Sequence, residues 1–236
     1  MTMKTTLFNI GNIPAMLWGK TSDRLFIAVH GNMSHKADTV IELLAKEAAE
    51  KGYQTLSFDL PEHGDCKNEG RKCSAKNCAD DLSAVHEYAR DRFKDMSLFA
   101  CSMGAYFSLL SLQDAALRQA LFLSPVVDMQ RLILGMMSAL DITEERLKKE
   151  QVIPTPFGQT LQWDYYSYVK ANQIVRWPHD TAILCAADDK VSEPAAVAAF
   201  AKKFNCRLET VPDAEHFFHT EKQLAVFSRW LKANIK

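Results

Sequence analysis

Short, almost uninterrupted apolar runs, separated by segments long enough for a helix, constrain this chain more than any other feature. LFIAV at 25–29, TLSFDL at 55–60, SLFAC at 97–101, ALFLSPV at 120–126 and AILCA at 182–186 each read as a strand buried on both faces. Such strands pair in parallel, and parallel strands need crossovers. The segments between them supply these. Residues 37–51 place Val40, Leu44 and Ala48 on one helical face before Gly52, and 75–93 do the same with Leu82, Val85, His86 and Ala89. Further helices are expected from Met103 to about Leu112, over 193–203 and over 220–234, with RLETV at 207–211 as a late strand. LFNI at 7–10 and PAMLW at 14–18, joined through Gly11-Asn12, read as an opening pair. The expectation is an α/β fold with a mostly parallel eight-stranded sheet flanked by helices.

One segment breaks the rhythm. Residues 127–177 are far longer than a crossover needs and hold a Met-rich amphipathic stretch, the charged run EERLKKE and the aromatic run WDYYSY. This reads as a cap inserted into a single domain spanning 1–236, since no repeat or linker marks a second one. The formal net charge of -1 gives no electrostatic reason to bind nucleic acid or an anionic membrane, and no stretch reaches transmembrane length. A small-molecule partner is expected. The N-terminus lacks the apolar run of a secretory signal, so a cytoplasmic location and reduced thiols are expected for the six cysteines. Cys66, Cys73 and Cys78 lie near His63 in sequence but make no C-x-x-C pair and no H-x-x-x-H spacing, so neither metal nor cofactor is expected.

Chemistry concentrates where strands end. Ala100-Cys101-Ser102-Met103-Gly104 closes an apolar run and opens an apolar helix. A tight strand-to-helix turn there would lift the Ser102 hydroxyl clear of the sheet at a helix N-terminus, although a serine in that place also suits a plain helix cap. A serine hydroxyl needs a base to become nucleophilic. His216, directly after the 207–211 run, is the candidate base, ahead of His219 nearer the last helix. The base in turn needs an acid, and Asp188 and Asp189, after the 182–186 run, both offer one. A developing oxyanion needs two donors: the Met103 N–H at the helix start, and the Asn32 N–H in the His30-Gly31-Asn32-Met33 loop after the 25–29 run.

These markers, in this order, resemble the α/β-hydrolase superfamily along nearly the whole chain. His30-Gly31 resembles its oxyanion loop. Asp59-Leu60-Pro61-Glu62-His63-Gly64-Asp65 resembles its D-x-P-G-H-G-x-S loop, with Glu62 for the glycine and Cys66 for the serine. Ala100 to Gly104 resembles the nucleophile elbow, with Ala100 for its first glycine. Ala186-Ala187-Asp188-Asp189 is similar to the G-x-x-D acid motif with Ala186 in the glycine's place, which selects Asp189, and Ala214-Glu215-His216-Phe217 is similar to the G-x-H-F motif. A compact cap of this length is similar to that of the serine aminopeptidase-like group that includes feruloyl and cinnamoyl esterases and monoacylglycerol lipases.

The resemblance and the residues together imply a carboxylic ester hydrolase working through an acyl-enzyme, with a Ser102, His216, Asp189 triad and an Asn32, Met103 oxyanion hole. Met136, Met137, Trp163, Tyr165 and Tyr166 are expected to wall an apolar or aromatic substrate pocket, unless they only pack the cap onto the body. An aminopeptidase or amidase would instead use a carboxylate such as Glu144, Glu145 or Glu150 to hold a free amino group, though these glutamates lie among lysines at helical spacing, as on a solvated face. A hydrolase fold that only binds a ligand or partner protein is the remaining alternative.

Overall fold

The computed structural model describes residues 3–156 and 158–236. A hairpin of β1 (Thr5–Ile10) and β2 (Ile13–Trp18) opens the chain, followed by β3 (Arg24–Val29), α1 (Thr39–Glu50) and β4 (Gln54–Phe58). Then come α2 (Ala75–Arg90), β5 (Asp95–Cys101), α3 (Met103–Ser111) and β6 (Ala120–Leu123). The long segment after β6 folds as α4 (Met129–Ala139), α5 (Glu144–Glu150), the strands β7 (Val152–Pro154) and β8 (Thr160–Gln162), and α6 (Trp163–Ala171). β9 (Thr181–Ala186), α7 (Pro194–Lys203), β10 (Arg207–Val211) and α8 (Glu221–Asn234) complete it.

The main sheet has eight strands in the order β1-β2-β4-β3-β5-β6-β9-β10, while β7 and β8 pair separately. β1, β2 and β4 run antiparallel to their neighbours in turn, and every pairing from β4 through β10 is parallel. Alternation along β3 explains why its sequence is apolar throughout. Leu25, Ile27 and Val29 enter the core beneath α2, α3 and α7, whereas Phe26 and Ala28 enter the core beneath α1 and α8. Local signals fix the helix starts. Ser74 caps α2 by accepting from the Asn77 N–H, Pro194 opens α7, and Thr220 with Gln223 forms a capping box on α8.

From β3 the chain passes through α1 to β4 on one side, then through α2 to β5 on the other. The loops leaving the C-terminal ends of β3 and β5 therefore diverge, and such a switch point is where an open α/β sheet makes a crevice. The run at 120–126 is shorter as a strand than its composition predicts. β6 ends at Leu123, because Ser124 takes φ 44° and turns the chain so that the Val126 N–H reaches the Ser102 carbonyl at 3.0 Å. No helix among the described residues is long and apolar enough to cross a membrane.

Candidate active site

Ser102 stands between the last residue of β5 and the first of α3, with φ 51° and ψ -122°. A side chain in that region costs about 1–3 kcal/mol, and the surroundings must hold it there. They do so from the neighbouring strand. The Ser102 N–H donates to the Leu123 carbonyl at 3.0 Å, and its own carbonyl accepts from Val126 and Ala105 at 3.0 and 3.1 Å. Gly104 lets the turn close: a Cβ there would lie 2.9 Å from the Val29 carbonyl oxygen and nearer still to that of His30. Ala100, one residue inside β5, pairs in regular register with Val29 and Phe122, so its methyl group is accommodated in the core.

The strained turn aims Ser102 at the loop after β10. Ser102 Oγ lies 2.8 Å from His216 Nε2, and His216 Nδ1 lies 2.8 and 3.0 Å from the two carboxylate oxygens of Asp189. All three residues are buried. The Asp189 carboxylate accepts a hydrogen bond from Nδ1–H, which leaves Nε2 free to accept from the serine hydroxyl. Asp189 is itself fixed by the N–H groups of Val191 and Ser192, each 2.8 Å from Oδ1. The Ser192 hydroxyl then ties the loop to the Ser124 carbonyl at 3.0 Å. Asp188 is exposed, and His219 points to the Phe217 carbonyl and Glu215, so of each pair of candidates only one meets Ser102 or its histidine.

The loop after β3 lies against this serine. A Cβ on Gly31 would sit 3.0 Å from Ser102 Cβ, so only a glycine brings Asn32 this close without displacement. His30 braces the loop from beneath: its Nδ1–H donates to the Gly31 carbonyl at 2.7 Å and its Nε2 accepts from the Leu60 N–H at 3.0 Å. Burial drives the His30 pKa down to about 4, in keeping with a neutral ring of fixed tautomer. Asn32 is held in turn by His63, whose Nε2 lies 3.1 Å from Asn32 Oδ1 while Nδ1–H donates to the Pro61 carbonyl at 2.8 Å. Met103 contributes the first N–H of α3 on the other side of Ser102.

The residues 59–66 act as a framework for that bracing. The wholly buried Asp59 carboxylate accepts from the Lys36 N–H at 2.7 Å, Lys36 Nζ at 2.6 Å and the Asp65 N–H at 2.9 Å. Sequence patterning singled out this stretch by resemblance but gave no role to Lys36, His30 or His63, because each acts through contacts distant in sequence.

The five side chains expected to line a pocket are dispersed. Met136 opens into a groove of about 420 Å³ between α4 and the loop of residues 190–193, which Arg131 and Glu193 span with hydrogen bonds of 2.5 and 2.7 Å. Tyr165 is half-buried, in the neighbourhood of Tyr106, Cys73 and Cys78. Met137 and Tyr166 are closed into the core, Tyr166 donating its hydroxyl to Glu144 at 3.0 Å, and Trp163 packs on the Tyr166 ring with centroids 5.9 Å apart.

No protein-family profile and no curated protein matches the sequence. Solved structures do match its shape. Est1E from Butyrivibrio proteoclasticus, in a complex with ferulic acid, superposes with a TM-score of 0.79 at 19% identity over 97% of this chain and 96% of that one. Alpha/beta hydrolase domain-containing protein 10 from mouse gives 0.77 at 10% identity over 98% and 97%. The esterase Pf2001 from Pyrococcus furiosus gives 0.66 at 18% identity over 98% and 92%. The architecture is the α/β-hydrolase fold.

Proposed function

We propose that the chain is a serine hydrolase that cleaves carboxylic esters of small aromatic or acyl substrates through an acyl-enzyme. The observation that carries this reading is the continuous relay from Ser102 Oγ through His216 to the buried Asp189, set at a strained elbow beside a glycine-bearing loop. In the reaction His216 Nε2 takes the serine proton as Ser102 attacks the ester carbonyl. Negative charge then develops beside the N–H groups of Asn32 and Met103, and the positive end of α3 favours it. His216 gives its proton to the leaving alcohol, and the same relay activates a water molecule that releases the acid.

The rim supports an apolar substrate. Met33 is 86% exposed on the loop after β3 and Phe217, next to His216, is 57% exposed, while Val191 is exposed beside the acid. Met136, in the groove beside residues 190–193, is placed to extend such a surface next to the loop that carries Asp189. The similarity in shape to Est1E, bound to ferulic acid, makes hydroxycinnamoyl esters a natural class to test. The glutamates that an aminopeptidase would use are in part engaged already, Glu144 by Lys170 at 2.6 Å and Glu150 by Arg146 at 2.8 Å.

A chain-length series of p-nitrophenyl esters beside feruloyl and cinnamoyl methyl esters, with Ser102→Ala as blank, tests the proposal. Turnover that disappears in the variant, together with fluorophosphonate labelling of Ser102 alone, is the expected result. Turnover of amino-acid p-nitroanilides in place of esters would overturn the substrate class. Absence of both activities with intact ligand binding would overturn catalysis itself.

A further inference from the structure

Beside the oxyanion loop lies a cluster that ester hydrolysis does not use. Cys73, half-buried just before α2, places its Sγ 3.4 Å from that of Cys78, which is wholly buried on the first turn of the helix. Its N–H donates to the Glu62 carboxylate at 2.8 Å, and its thiol lies close to His63, the residue that holds Asn32. We propose that Cys73 and Cys78 form a redox site, oxidised by hydroperoxides to a reversible disulfide that withdraws Cys73 from His63 and slackens the oxyanion loop.

The chemical contrast among the six thiols supports this assignment. Burial pushes Cys66 and Cys101 up to about 12 and Cys185 and Cys206 up to about 11, which leaves them inert. Cys73 runs the other way, down to about 6, chiefly through the hydrogen bond from Cys78 and, against the opposing effect of burial, through His63. His63 is raised above its usual range: burial works against it, but the neighbouring Cys73 and its hydrogen bond to the Pro61 carbonyl outweigh that. Cys78 is held as a thiol, first by its hydrogen bond to Cys73 and then by burial.

The Cys73 thiolate attacks a peroxide oxygen; an S–O bond forms, the O–O bond breaks, and the departing oxygen leaves as water after taking a proton. Cys78 then attacks the Cys73 sulfur and loses its proton, the S–S bond forms, and the S–O bond breaks to release a second water. Two thiols lose two electrons and one hydrogen peroxide gains them. The sulfurs need to close from 3.4 Å to about 2.05 Å, a movement open to Cys73 because it precedes the helix.

The experiment treats the full chain with stoichiometric hydrogen peroxide, blocks remaining thiols with N-ethylmaleimide, and digests with trypsin. Cleavage after Lys72, Lys76 and Arg90 separates the two cysteines, so the disulfide reveals itself as the peptide 73–76 joined to 77–90. That linked pair is expected before any other cysteine reacts, and dithiothreitol should release it. In Cys78→Ser a dimedone adduct is expected on Cys73. First oxidation elsewhere, or over-oxidation of Cys73 without the linked pair, would overturn the site. These readouts are independent of ester hydrolysis. Where turnover exists, wild-type activity should fall several-fold on oxidation and recover on reduction, and the loss should be absent in Cys73→Ser; a linked pair with unchanged activity would overturn the coupling to the loop.

Discussion

Replacing Gly104 with alanine tests the idea that close approach of α3 to β3 sets the reactive geometry. The new Cβ would lie 2.9 Å from the Val29 carbonyl oxygen, 3.0 Å from Val29 Cγ1 and nearer still to the His30 carbonyl oxygen. Both oxygens are backbone atoms, one on the last residue of β3, which is held between β4 and β5, and one on the residue after it, whose ring is pinned to Leu60, so neither can swing aside. Restoring an ordinary C···O contact of about 3.3 Å requires a separation of roughly 1 Å between α3 and the end of β3. Overpacking of this kind costs about 1–3 kcal/mol, and the backbone clash puts it near the upper end. Alanine returns up to about 1 kcal/mol of helix propensity, so a net loss of about 2 kcal/mol is expected.

The same displacement pulls Asn32 away from Ser102. Misplacement by about 1 Å costs about a hundredfold in rate, comparable to losing one oxyanion donor. Urea unfolding measures the first effect and p-nitrophenyl ester turnover the second, with kcat expected to fall about a hundredfold at nearly constant KM. Gly135→Ala supplies a control on stability, because that glycine is helical and a Cβ there meets nothing within 4 Å; it should gain up to about 1 kcal/mol. A Gly104→Ala protein with wild-type kcat and wild-type urea midpoint would refute the reasoning.

Three further outcomes are expected. Asp189→Asn replaces an acceptor by an amide able to donate to Nδ1, which turns His216 to the wrong tautomer, so kcat should fall about 10³–10⁴-fold while Asp188→Asn stays near wild type in the same ester assay. The Tyr106 hydroxyl is buried without a hydrogen-bond partner among the described residues, so Tyr106→Phe should raise stability by about 1 kcal/mol in urea; destabilisation would mean that the hydroxyl is satisfied. His30, near 4 in the folded state against an ordinary 6.5, binds its proton more readily when unfolded, so its contribution is complete above pH 6.5 and is lost as pH falls toward 4. About 3 kcal/mol of stability should disappear across that window and be spared in His30→Gln, read as urea midpoints against pH, with His63 acting oppositely in both proteins.

The parallel strands were legible because burial on two faces leaves a signature in every residue of a run. β3, β5 and β9 accordingly lie within two residues of their predicted ends. β7 and β8 carried no such mark. Three residues each, they are too short for alternation to register, and their principal contacts are with each other and with the neighbouring helices α5 and α6. Ser102, His216 and Asp189 were placed by their position after strands, which sequence conveys. Their partners were not, because Leu123, Ser192 and His30 act through backbone groups and long-range contacts that residue type does not reveal.

The replaced glycines of the resembled motifs sort by backbone conformation. Ala100 and Ala186 lie in regular strand pairings, where a methyl group needs only core space and glycine offers no conformational advantage. Glu62 is different, for its φ of 63° is left-handed, a conformation that costs a side-chain-bearing residue roughly 1–2 kcal/mol. Its carboxylate offsets that cost by accepting the Cys73 N–H at 2.8 Å, which anchors the cysteine beside His63. A glycine at this position would relax the loop but release Cys73, so the departure from the motif and the thiol pair belong to one local design. Glu62→Gly should therefore lower the yield of the Cys73–Cys78 linked peptide at a given peroxide dose, and an unchanged yield would show that the two features are independent.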